Sequence, residues 1–119
     1  MGLFKKDNKP TPSYEDDVKE FLLPGETIEA IYPLILDYIC LTNKRILFVD
    51  NNISMKDPKT IFTTIPYKNL ISVGFEKNEK AIGFTDQLTL TTNYKEYGLK
   101  FLKVTDCKEI YNEIVSKIL

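Results

Sequence analysis

The sequence predicts an α+β fold dominated by antiparallel strands, with one short helix at its start and another at its end. Three observations carry that prediction. From Glu26 onward apolar residues recur with a period of two through most of the chain. The breaks between apolar runs are short and built of turn chemistry: Asn43-Lys44, Asn51-Asn52, Asp57-Pro58, Pro66-Tyr67, Asn78 and Asn93. At both ends the period changes to that of an amphipathic helix. Connections this short leave no room for βαβ crossovers, so neighbouring strands must run antiparallel, as a meander.

The elements follow in order. Residues 1–12, with two prolines and alternating charges, read as a flexible leader, and 13–119 as a single domain, because 119 residues suit one core rather than two. Ser13 offers an N-cap with Asp16 three positions on. Tyr14, Val18, Phe21 and Leu22 then recur at helical spacing, which predicts a helix over 13–23 that Pro24-Gly25 stops. About seven strands are expected, over 27–33, 34–42, 45–50, 60–66, 70–76, 86–92 and 97–104. Thr105 or Asp106 can cap a last helix over 106–118, which places Cys107, Ile110, Tyr111, Ile114 and Ile118 on one face.

One hairpin stands out, DYICLTNKRILFVD at 37–50. With Asn43-Lys44 as a two-residue loop, Leu41 faces Ile46, Cys40 faces Leu47, Ile39 faces Phe48 and Tyr38 faces Val49. Both faces of this hairpin are apolar, whereas an ordinary one keeps a face in water.

LLPGETIEAIY at 22–32, DYICLTNKRILFVD at 37–50, TTIPYKNLISV at 63–73 and EIYNEIVSKIL at 109–119 together resemble the bacterial PH-like (pleckstrin-homology-like) domain family, which is related to the GRAM domains. The resemblance implies a partly open barrel of about seven strands, one end of which is plugged by the C-terminal helix. Two positions depart from the pattern: Asn51-Asn52 stands where a glycine is expected, and Asp57-Pro58 lengthens the following loop.

Composition removes several function classes. There is no histidine, so Ser-His and Cys-His pairs and the usual zinc sets cannot be assembled. Asp16-Asp17 and the pair Glu76 and Glu79 read as solvated acids, and the glycines form no phosphate loop. No enzyme, cofactor or bound metal is therefore expected. Sixteen basic residues balance seventeen acidic ones, and Arg45 is the one arginine, which argues against nucleic acid. Cys40 and Cys107 belong to no close-spaced pair and read as reduced structural thiols of a bacterial cytoplasm. MGLFKKDNKP holds no stretch of signal-peptide length, and Lys6 stands where N-terminal acylation favours Ser or Thr.

The remaining reading is a binding or assembly module, with Asn43, Lys44, Arg45, Leu47 and Phe48 as candidate interaction residues. Asn43, Lys44 and Arg45 could meet a phosphate or a partner carboxylate, although a polar hairpin tip accounts for them equally. The connection at 32–37 holds no cation, so recognition of a phosphoinositide headgroup is not expected there. Leu3, Phe4, Lys5, Lys6 and Lys9 give an alternative, weak association of the leader with a membrane surface. The leading helix reads as too short to cover the second face of the hairpin. That expectation leads to a homo-oligomer packed through sheet faces or edge strands, or to contact with another protein. Of Leu47→Glu and Phe48→Glu, the substitution on the core side should unfold the chain and the outward one should give a folded monomer.

Overall fold

Alternating apolar residues and short turns produce two antiparallel meanders. The computed structural model describes residues 10–35, 37–52, 56–77, 86–101 and 105–119. Helix α1 (Pro10–Lys19) leads into strands β1 (Ile28–Pro33), β2 (Tyr38–Thr42), β3 (Arg45–Asn52) and β4 (Lys59–Pro66). A single 3-10 turn (Tyr67–Asn69) precedes β5 (Ser72–Glu76), β6 (Gln87–Thr91), β7 (Glu96–Lys100) and helix α2 (Cys107–Ile118). The sheets have the orders β1-β2-β3-β4 and β5-β6-β7, and a bridge between Leu34 and Phe101 links them beyond the ends of β1 and β7.

The hairpin register is the one expected: Tyr38 pairs with Val49, Ile39 with Phe48, Cys40 with Leu47 and Leu41 with Ile46. Other boundaries move for identifiable reasons. The second strand begins at Tyr38 rather than residue 34, because the chain turns just after Pro33, where the Leu34 N–H donates to the Asp37 carbonyl (2.8 Å). Asn51-Asn52 is no turn; β4 supplies partners for both, Thr60 and Lys59, and β3 runs on. The first helix starts at Pro10, so Ser13 lies inside it and does not cap it. Proline suits a first turn, where its missing N–H would have no intrahelical acceptor. That helix stops at Lys19 rather than 23, and tighter bonds from Phe21 N–H to Val18 O and from Leu22 N–H to Lys19 O complete the exit. Asp106 caps α2 by accepting the Glu109 N–H at 3.1 Å. Residues 1–9 of the expected leader, the Asn78 turn, Glu79 and the expected strand end at 102–104 lie outside the described residues.

The strands separate two apolar cores. Inside the barrel, Ile39, Leu41, Ile46 and Ile65 of the first sheet meet Leu88, Leu90 and Leu99 of the second, and Ile110 and Ile114 of α2 close one end. Outside it, Tyr38, Cys40, Leu47 and Val49 form a second core with Val18 of α1, and Tyr14, Leu22 and Phe62 pack around them. All five of these central residues are at most 1% exposed. The second face of the hairpin is thus covered within one chain, which overturns the expectation that the helix is too short. A ten-residue helix rises about 15 Å. A five-residue strand such as β2 covers about 16 Å, so the two lengths match. The Tyr14 ring stacks on Tyr38 at 4.0 Å, and the buried Tyr38 hydroxyl has no hydrogen-bond partner among the described residues.

This packing fixes the outcome of substitution at Leu47. Truncation to alanine should lower stability by about 3 kcal/mol in urea unfolding. Leu47→Glu should prevent folding rather than yield a folded monomer, since it puts a carboxylate into the outer core. A Leu47→Glu chain with native circular dichroism and cooperative unfolding would show that the outer cluster is no core.

Candidate functional site

The candidate residues divide between structural bonds and surface. Asn43, at the exposed tip, bonds to the chain's own backbone: its Oδ1 accepts the Thr27 N–H at 2.8 Å and its Nδ2 donates to the Gly25 carbonyl at 3.0 Å. Gly25 has φ +81, a conformation that favours glycine and lets the chain turn sharply from α1 toward β1. Arg45 is held more tightly. Its Nε and Nη2 donate to the two Glu26 carboxylate oxygens at 2.7 and 2.8 Å. Its Nη1 donates to Thr64 Oγ1 at 2.8 Å and its Nη2 to the Phe21 carbonyl at 2.7 Å. The Glu26 side chain is fully buried and the Arg45 side chain 14% exposed.

Glu26 completes this bracket by accepting the Leu23 N–H at 2.9 Å and the Thr42 hydroxyl at 2.7 Å. Burial by itself would raise its pKa. The bonds from Arg45, Leu23 and Thr42, together with the Arg45 charge, outweigh burial and hold it down at about 2. From the Tyr67 hydroxyl a further bond, at 2.6 Å, reaches the Thr42 carbonyl. Asn43 and Arg45 therefore bond within the fold, although Asn43, like Lys44, is exposed. Leu47 is buried under α1, whereas Phe48 faces the barrel interior, half-buried, 5.6 Å from the Tyr97 ring.

Sequence reasoning missed Glu26 as the partner of Arg45. A signal was present: a guanidinium is the group that suits a buried bidentate pair, and Arg45 is the single arginine in a lysine-rich chain.

Shallow recesses mark the described surface, among them one of about 410 Å³ along α2, one of about 220 Å³ between α1 and β4, and two smaller ones. One of about 170 Å³ is lined by Leu34, Ile35, Asp37, Phe48, Gly98 and Lys100. Another of about 160 Å³ lies where Thr64, Ile65, Pro66 and Asn69 meet Thr92, Tyr94 and Tyr97. Burial raises the Asp37 pKa, and Asp50 adds to the shift, although the Asn51 N–H bond opposes it. Burial also raises both thiols, Cys40 to about 12 and Cys107 to about 11, and neither cysteine is in a disulfide. Among the described residues no three His, Cys, Asp or Glu side chains gather as metal ligands would, and no helix is long and apolar enough to cross a membrane.

Two antiparallel meanders closed by a C-terminal helix define a PH-like domain. A sequence model of the bacterial PH domain family matches residues 2–118, and the chain belongs to that family. It is 38% identical over 116 residues to the uncharacterized protein YozO of Bacillus subtilis (strain 168), covering 92% of this chain and 91% of that one. In fold it is similar to a DUF1696-family protein with a pleckstrin-homology domain from Shewanella loihica PV-4, with TM-score 0.76, 20% identity, and 91% and 92% of the two chains covered. A pleckstrin homology domain from Shewanella amazonensis SB2B gives 0.73 at 19% identity, covering 91% of this chain and 87% of that one.

The bracket sets an acid limit on stability. Because Glu26 titrates lower when folded than its ordinary 4.5, its contribution is complete above pH 4.5 and is lost as pH falls toward about 2. The span corresponds to about 3 kcal/mol. Urea midpoints measured across that range should fall for the native chain and stay flatter for Glu26→Gln, which starts less stable; equal slopes would remove Glu26 as the cause. A thiol reagent at neutral pH should leave Cys40 and Cys107 unlabelled until denaturant is added, and rapid native labelling of either would contradict their burial.

Proposed function

We propose that the chain is a non-catalytic binding and assembly module whose working surface is the free edge of β4, and that a second copy of the same chain is its first partner. The supporting observation is how differently the sheet edges are managed. Exposed edge strands invite pairing, and proteins blunt them with charge, proline, bulges or a covering element. Strand β1 carries Glu29, paired with Lys117 of α2, an irregular register between Ile28 and Ala30, and Pro33 at its end. Strand β5 has Gly74 at its centre and lies under α2, while β7 carries Glu96 and Lys100 at its two ends. Strand β4 also has a charge and a proline at its ends, Lys59 and Pro66, but between them Thr60 to Ile65 form a run of six uncharged threonine, isoleucine and phenylalanine residues, and Ile61 is 44% exposed. No described strand pairs with its outer side.

Such a run has the composition that favours strand addition, in which backbone bonds supply affinity and alternate side chains supply selectivity. Because α1 already covers the outer face of β2 and β3, assembly through that sheet face loses its motive, and the edge becomes the favoured route into a symmetric homo-oligomer. The two unoxidised, buried cysteines support work in a reducing compartment such as the cytoplasm.

Light scattering at micromolar concentration tests the proposal. The native chain should run at a multiple of 13.8 kDa, and Ile61→Lys, which puts a charge on the edge at an exposed position, should run at 13.8 kDa with unchanged circular dichroism. A native chain found only at the single-chain mass, or an Ile61→Lys variant of unaltered mass, would overturn it.

A further inference from the structure

The recess of about 170 Å³ lies where the turn between β1 and β2 meets β3 and the last residues of β7. Its walls are fixed from both sides. The Leu34–Phe101 bridge ties the turn to the end of β7, and the Leu34 N–H closes on the Asp37 carbonyl at 2.8 Å. Asp37 Oδ1 accepts the Asn51 N–H at 3.0 Å, which holds its carboxylate against β3. Walls set in this way need little rearrangement to receive a ligand.

The lining combines three kinds of chemistry. Leu34, Ile35 and Phe48 offer apolar surface, and Ile35 is 61% exposed and belongs to neither core. One charge of each sign borders them, Asp37 and Lys100, and neither is in an ion pair among the described residues. The Asp37 charge is unfavourably placed: burial and the neighbouring Asp50 carboxylate both raise its pKa, against the Asn51 bond. A bound cation would relieve both effects. A simple amine would still meet the Lys100 ammonium, however, and a simple carboxylate would meet Asp37. A molecule that carries both charges on one carbon, with an apolar group beside them, satisfies every wall at once. The volume equals that of about six waters, well below the roughly 300 Å³ at which pockets for drug-sized ligands begin, so the ligand is small.

We propose that this recess binds a free α-amino acid with a branched aliphatic side chain. The ammonium of the ligand meets Asp37, its carboxylate meets Lys100, and its side chain lies on Leu34, Ile35 and Phe48. No residue of β4 lines the recess, so the site is distinct from the edge proposed for assembly.

Amide shifts of the isotope-labelled full chain, followed during titration with leucine, test it. Leucine at about 1 mM should shift the amides of Ile35, Asp37, Gly98 and Lys100 and few others. Leucinamide, which lacks the carboxylate, and isocaproate, which lacks the amine, should each bind about tenfold more weakly. Two variants separate the charges. Asp37→Asn, which keeps an oxygen for the Asn51 N–H, should weaken leucine and leucinamide about tenfold and leave isocaproate no weaker. Lys100→Gln should weaken leucine and isocaproate to a similar degree and leave leucinamide unchanged. A general loosening of the fold would weaken all three ligands alike, and that outcome would overturn the proposal. So would leucine shifts that are absent at about 20 mM or spread over the whole chain, or leucinamide binding as tightly as leucine.

Discussion

The fold depends on one buried ion pair. Glu26 and Arg45 lie nineteen positions apart, and their paired bonds draw together four segments that hydrophobic patterning alone would leave loosely arranged. Arg45 opens β3 and grips the Phe21 carbonyl at the exit of α1 and the Thr64 hydroxyl on β4. Glu26 takes the Leu23 N–H and the Thr42 hydroxyl at the end of β2. Taking two charges out of water is unfavourable, and it is offset here because the donors of one and the acceptors of the other nearly all find partners. Removing either member would leave the other buried and uncompensated, which is why the pair dictates where α1 can sit.

Once α1 is positioned, the two-faced hairpin ceases to be a puzzle. Its inner residues, Ile39, Leu41 and Ile46, belong to the barrel, and its outer ones, Tyr38, Cys40, Leu47 and Val49, belong to a core of their own beneath the helix. The cover is matched in length to the strands it covers and is anchored by Val18 near its C-terminal end. Apolar patterning on both faces of a hairpin is therefore evidence for a third layer, and that layer can come from the same chain.

Much of this was legible in the residues. Period-two patterning gave seven strands, Asn43-Lys44 set the register of the central hairpin without error, and Asp106 capped the last helix as its position foretold. The misreadings share a cause, since each needed a partner distant in sequence. Asn51-Asn52 looks like a turn until β4 lies alongside, and Ser13 looks like a cap until prolines are allowed into the first helical turn. Arg45 looks like a surface cation until Glu26 is brought to it. The pattern of residue types reports local geometry well, but the fate of a polar side chain is decided by what arrives from elsewhere in the fold.

Strands β2 and β3 are the only described ones buried on both faces, and their pairing is closed by a turn of two residues. A hairpin so placed has its amides shut away from solvent by side chains above and below as well as by ladder bonds. It should be the last region to surrender its amide protons to exchange, while α1 and the outer edge strands open first through local fluctuations. Because nearly every strand pairs with its neighbour in sequence, that hairpin can also form early, with little chain to close around it. The segment that carries the outer core should then be both an early-forming part of the fold and its most slowly opening one.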